Sequence, residues 1–189
     1  MKKIVSIALL ICMCLSLCAC GVKLDENEAI VGNGTWQVTK SGDVYTIMDN
    51  TVKKNDAVLY EINNIKDYKL FALGEYLYVN TLDGAMQLFI DGSKMKKFGS
   101  GDIIAARGRW IYYQSKDNKV GNMIVYKIDM VEGRQLNLFQ DTITTVEMIE
   151  PDVFLFTGES GNEYINELNE DNGYFYHEWL GTDPTEATE

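Results

Sequence analysis

Four cysteines, one histidine and 28 carboxylates are the residues of this 189-residue chain that could carry chemistry. Cys12, Cys14, Cys18 and Cys20 all fall within the first twenty positions. The rest of the chain therefore has no thiolate nucleophile, no disulfide and no cysteine metal ligand. His177 stands alone beside Tyr176 and Trp179 and reads as a surface or packing residue, not a catalytic base. Gly158-Glu159-Ser160-Gly161 lacks the Gly-x-Ser-x-Gly spacing and the strand-to-helix setting of a serine elbow, and is expected to be a hairpin turn. An ordinary zinc site is excluded by the missing His and Cys ligands. No Asp-rich turn completes a calcium loop, since at Asp171-Asn172-Gly173 the first ligand position holds Leu168. Paired carboxylates for glycosidic chemistry have no distinguishing spacing among so many acids. The sequence thus predicts no catalytic constellation, no metal and no cofactor.

Aromatic residues are the better functional lead: 3 Trp, 11 Tyr and 7 Phe. Their faces stack on sugar rings or serve as protein-binding hot spots. Alternation at Tyr76/Tyr78 and Tyr174/Tyr176 puts each pair on one sheet face, where cross-strand packing uses them. Trp36, Trp110, Tyr113 and Trp179 are expected to be partly exposed and available to a ligand.

The cysteines lead back to the chain's start. Lys2 and Lys3 precede an apolar run from Ile4 to Leu17 broken only by Ser6 and Ser16. This is the pattern of a secretory signal and is short for a membrane span. Its end, Leu17-Cys18-Ala19-Cys20-Gly21, resembles a bacterial lipobox. The resemblance implies that residues 1–19 are removed and that Cys20 is lipidated at sulfur, becoming the new N-terminus. A buried methylene contributes about 0.8 kcal/mol to membrane association and one acyl chain is marginal; the diacylglycerol implied here supplies two. The implied location is the outer face of the cell membrane, or the outer membrane where there are two.

Processing makes the charge more lopsided. Losing Lys2 and Lys3 takes the basic residues from 17 to 15 against 28 acids, a net charge of −13. Such a surface repels nucleic acid and anionic headgroups, so attachment must rest on the acyl chains. The remaining 170 residues of the 189 are enough for one well-buried domain. Residues 20–34 read as anchor and tether, 35–180 as the domain, and 181–189 as a disordered acidic tail.

From Thr35 to Trp179 short runs rich in Tyr, Ile, Val, Phe and Thr alternate with Gly, Asn and Asp turn chemistry, as at Ser41-Gly42-Asp43, Asp83-Gly84 and Gly99-Ser100-Gly101. No window offers a helical stripe, and the chain is predicted to be all-β. Two signatures recur. One is a turn plus aromatic strand: Gly42-Asp43-Val44-Tyr45, Gly74-Glu75-Tyr76-Leu77-Tyr78, Gly108-Arg109-Trp110-Ile111-Tyr112-Tyr113 and, more loosely, Pro151-Asp152-Val153-Phe154. The other is a strand ending in an aliphatic residue plus Asp or Asn: Ile62-Asn63, Ile90-Asp91, Ile128-Asp129 and Leu168-Asn169. A further apolar strand follows each of the first three.

This order is similar to propeller blades of the low-density-lipoprotein-receptor type, as in propeller domains of bacterial surface lipoproteins, with Ile90-Asp91-Gly92-Ser93 the nearest match. The resemblance implies a small array of about four antiparallel repeats, lean for four-stranded blades. A four-bladed ring, an incomplete propeller that dimerises and a two-layer β-sandwich are the alternatives. In a ring, the run Thr35 to Val38 would complete the last unit, near Tyr174 to Trp179. The expected function is a lipid-anchored binding or scaffold module making protein–protein contacts at the envelope. The alternative is a glycan or small-solute binder with an aromatic-lined funnel, and a carboxylate-dependent hydrolase comes third.

Overall fold

A computed structural model describes residues 31–32, 34–116, 121–150, 153–168 and 175–179, with backbone only for 31–32, 168 and 175–179. Every regular element it describes is a β-strand, and the strands form four antiparallel sheets. A short β1 (Val31–Gly32) comes first. The first sheet is the meander β2 (Gln37–Lys40), β3 (Asp43–Met48), β4 (Thr51–Lys54) and β5 (Ala57–Glu61). The second is β6 (Ile65–Leu73), β7 (Tyr76–Thr81), β8 (Gly84–Phe89) and β9 (Met95–Lys97). In the third, β10 (Asp102–Arg107), β11 (Trp110–Lys116), β12 (Met123–Asp129) and β13 (Gln135–Phe139) follow one another, with β1 added beside β10. The fourth is β14 (Ile143–Glu150), β15 (Val153–Gly158), β16 (Glu163–Leu168) and β17 (Phe175–Trp179).

Burial shows how the sheets stack. Along β3 and β15 buried and more open residues alternate, as in strands with one face covered. In β7 and β11 the buried residues are consecutive, Leu77 to Thr81 and Trp110 to Gln114, because both faces are covered. The second and third sheets are therefore interior and the first and fourth are ends. Three hydrophobic clusters match this order. Val38, Tyr45, Ile47 and Val52 pack on Leu70, Leu77 and Leu88 between the first two sheets. Phe71 and Tyr78 meet Ile103, Ile111 and Tyr113 between the next two. Tyr112 and Val125 meet Val146, Phe154 and Phe156 at the last. Among the described residues no such cluster joins the fourth sheet to the first.

Both repeat signatures have a structural cause. The aromatic signature falls on the second strand of each sheet, which the neighbouring sheets bury. The aliphatic-Asx signature closes the third strand of the second and third sheets; in the fourth, β16 ends at Leu168 and Asn169 lies outside the described residues. In the second and third the side chain caps a turn: Asp91 Oδ1 accepts the Ser93 N–H at 2.8 Å, and Asp129 Oδ1 accepts those of Val131 and Glu132 at 2.9 and 3.1 Å. In the first sheet the signature is displaced, with Ile62-Asn63 following the fourth strand, β5.

Three expectations are corrected. Each meander has four strands, because short β9 and β13 complete units that looked lean; Met95, Lys96 and Lys97 are all exposed, so no burial pattern marks β9. Gln37–Lys40 pairs with β3 in the first sheet and does not complete the last unit, where β17 pairs with β16. Gly99-Ser100-Gly101 is not a hairpin turn but the passage from β9 to β10. A Cβ at Gly101 would strike the Gln114 carbonyl, and the Gly101 N–H donates to the Tyr113 hydroxyl. Gly101→Ala is expected to cost about 1–3 kcal/mol in chemical denaturation, by overpacking. Gly158–Gly161 forms the expected tight turn, with the Gly161 N–H on the Gly158 carbonyl at 3.0 Å.

Candidate binding site

The starts of β6, β10 and β14 surround a polar cleft of about 290 Å³. Lys66, Asp67 and Lys69 of β6, Asp102 of β10 and Thr142 and Thr144 at β14 supply its charged and hydroxyl groups; Phe71, Ile103, Ile143 and Val146 supply apolar floor. The Lys66 ammonium meets the Asp102 carboxylate at 2.6 Å across two sheets.

Two buried amides hold this region together. Asn80, near the end of β7, accepts the Ile103 N–H at 2.8 Å and donates to the Ile103 carbonyl at 2.8 Å and to Asp67 at 3.2 Å. It therefore pairs with the start of the next sheet as a backbone amide would. Gln114 does the corresponding task one sheet on, its Oε1 accepting the Ile143 N–H at 2.6 Å. Both sit four residues into their aromatic strands, Asn80 after Tyr76 and Gln114 after Trp110. That repeated amide was visible in the sequence, and reading the aromatics alone missed it.

The aromatic residues expected to face a ligand are not gathered here. Trp36 is 61 % exposed, in the link before β2. Trp110 and Tyr113 lie on opposite faces of β11 and are 2 % and 8 % exposed, which corrects their expected exposure. Both are buried because the third sheet is covered on both sides. Trp110 has the Lys127 ammonium 5.0 Å from its ring and the Arg109 guanidinium at 5.6 Å. Tyr113 packs edge-on against Phe98 at 5.6 Å. Trp179 is paired with Tyr164 through the backbone of β17, and its side chain and Cys20 lie outside the described residues. Phe71 is the one aromatic lining the cleft, which is therefore not an aromatic funnel.

A second surface lies on the outward face of the fourth sheet. Cross-strand pairs share a face, so Glu147, Leu155 and Ile165 form one row, Glu150, Val153 and Glu167 another, and Thr145, Thr157 and Glu163 a third. Val146, Phe154, Phe156 and Tyr164 point the other way, into the core shared with the third sheet. The outward face thus carries four glutamates around three half-buried aliphatic side chains.

The chain matches no protein-family model and none of the curated proteins. The reading of its function therefore rests on these two surfaces.

Proposed function

We propose that the protein is a lipid-anchored module, held outside the cytoplasm through acyl chains on Cys20, that docks a basic protein partner at the cell envelope. The observation that carries the docking is the outward face of the fourth sheet. Val153, Leu155 and Ile165 offer apolar contact while Glu147, Glu150, Glu163 and Glu167 frame it with negative charge. Interfaces of that composition gain area from the aliphatic centre and orientation from the charged rim. The four meanders are read as blades of a propeller-like array left open between its last and first members. Support comes from the successive stacking of four sheets and from the aromatic signature recurring on each second strand.

Capture from envelope extracts tests the docking. Wild-type capture is expected at about 0.1 M salt and to fall steeply by about 1 M, as the Debye length drops from about 10 to about 3 Å. Glu147→Lys with Glu163→Lys is expected to abolish it while leaving thermal unfolding unchanged. Salt-independent capture, or full capture by the double variant, sinks the docking reading. The anchor is tested separately: in its host the wild type is expected in the detergent phase, and Cys20→Ala in the aqueous phase.

A further inference from the structure

We infer that the cleft at the starts of β6, β10 and β14 binds a small solute through its carboxylate group. This stands apart from the docking face on the fourth sheet. The cleft's hydrogen-bonding groups divide into those already used and those left over. Asn80 is saturated, and Lys66 is held by Asp102. Gln114 is only 6 % exposed and has its Oε1 committed to the Ile143 N–H. That bond settles which end of the amide is nitrogen. The Nε2 group has no hydrogen-bond partner among the described residues, and it is not sealed from solvent. Gln114 lines the cleft, which gives that group access to solvent.

Lys69 lines the same cleft and its ammonium has no carboxylate bonded to it among the described residues, and the Thr142 hydroxyl is likewise uncommitted. The leftover set is therefore donor-rich: an amide nitrogen, an ammonium and a hydroxyl around one cavity. A largely buried donor without a partner is costly, and a carboxylate offsets that cost with charge-assisted bonds. An ion such as chloride would satisfy the lysine but not fill the space. A cavity of about 290 Å³ has room for a monosaccharide or an amino acid, at the small end of the range for ligand clefts. Asp67 and Asp102 also line the cleft, and their carboxylates are the acceptors there for hydroxyl or ammonium groups on the body of such a ligand. Phe71, Ile103 and Ile143 take its apolar side.

Two sources share this chemistry, acidic sugars and free amino acids, and the test separates them. The full chain in detergent micelles is titrated with glucuronate and with serine; glucose and ethanolamine serve as counterparts lacking the carboxylate. The side-chain amide resonance of Gln114 is followed by NMR together with calorimetry. A saturable shift of that resonance by glucuronate, serine or both is expected, with at least tenfold weaker binding of the counterparts. Glucuronate alone assigns a hydroxylated acid, serine alone an amino acid, and both a site that reads the carboxylate itself. Lys69→Met is expected to weaken binding about tenfold with an unchanged melting temperature. Gln114→Met adds a second check if it folds. No shift by either carboxylate at about 10 mM, well above a dissociation constant of about 1 mM, overturns the inference. So does equal binding of glucose, or Lys69→Met with wild-type affinity.

Discussion

Arg109→Ala is expected to destabilise the protein by about 3 kcal/mol at neutral pH, the low end of what breaking a buried ion pair costs. Arg109 sits in the turn before β11 and reaches the end of β12. Its Nε donates to Asp129 Oδ1 at 2.9 Å and its Nη2 to Asp129 Oδ2, a two-point clasp between the two repeat signatures of the third sheet. The Asp129 side chain is fully buried, so it cannot turn to water once the guanidinium is gone. The Val131 and Glu132 amides remain as donors, which holds the loss near that lower end. Arg109→Lys should recover only part, having a point charge in place of the fork.

The pH dependence checks the cause. Burial would raise the Asp129 carboxyl, but the hydrogen bonds from Arg109 and the two amides outweigh it and hold the group below the usual carboxylate range. A depressed carboxylate contributes stability that is complete above its unfolded value near 4 and fades as pH falls through the folded one. In Arg109→Ala the largest opposing partner is gone, so the difference between variant and wild type should shrink as pH drops below about 4. Urea unfolding at pH 7 and at pH 3.5 measures both. A constant difference would falsify the ion-pair account and leave only lost packing on Trp110.

Wild-type stability is expected to climb with pH between about 6.5 and 9.5, against the habit of acidic proteins, whose carboxylates have finished titrating by then. Lys127 is the reason. Its side chain is fully buried in β12, across from Tyr112, with its ammonium 5.3 Å from that ring and 3.3 Å from Asn166 Oδ1. Burial depresses its pKa to about 6. Through that window the unfolded chain binds a proton that the native state does not, so stability rises by up to about 1.4 kcal/mol per pH unit. It levels off only near the unfolded value of about 10.4. Lys127→Met should remove the slope and keep the fold. Denaturation midpoints at pH 6.5, 8 and 9.5 decide it, and a flat wild-type profile would show that the buried amine stays protonated. The single histidine leaves few other groups to confuse the reading.

The all-β class and most strand positions were legible because turns and apolar alternation are local. Tyr76-Leu77-Tyr78 and Trp110 to Tyr113 announced strands, but not that both of their faces are covered. Stack order was not legible, since it depends on which faces meet. Edge strands escaped notice for a physical reason: Met95-Lys96-Lys97 is buried on neither side, and lysines on an unpaired edge guard against sheet-to-sheet aggregation. The cleft was hidden differently. Lys69, Gln114 and Thr142 are far apart in sequence and of types common at any surface, and only the stacking of three sheets brings them to one wall. The exposure expected of Trp110 and Tyr113 failed through the same blindness to the second covering layer.

β1 gives the molecule a top and a bottom. It runs antiparallel to β10, with Val31 opposite Ala106 and Gly32 opposite Ala105, so the polypeptide arrives at the finish of that strand and travels toward its origin. The cleft is at the origin. Ten residues lie between Cys20 and Val31, eleven chain steps that span at most about 40 Å. Under the anchoring proposed above, the cleft lies at the end of β10 opposite the chain's entry, which favours entry of a dissolved acid from the exterior medium.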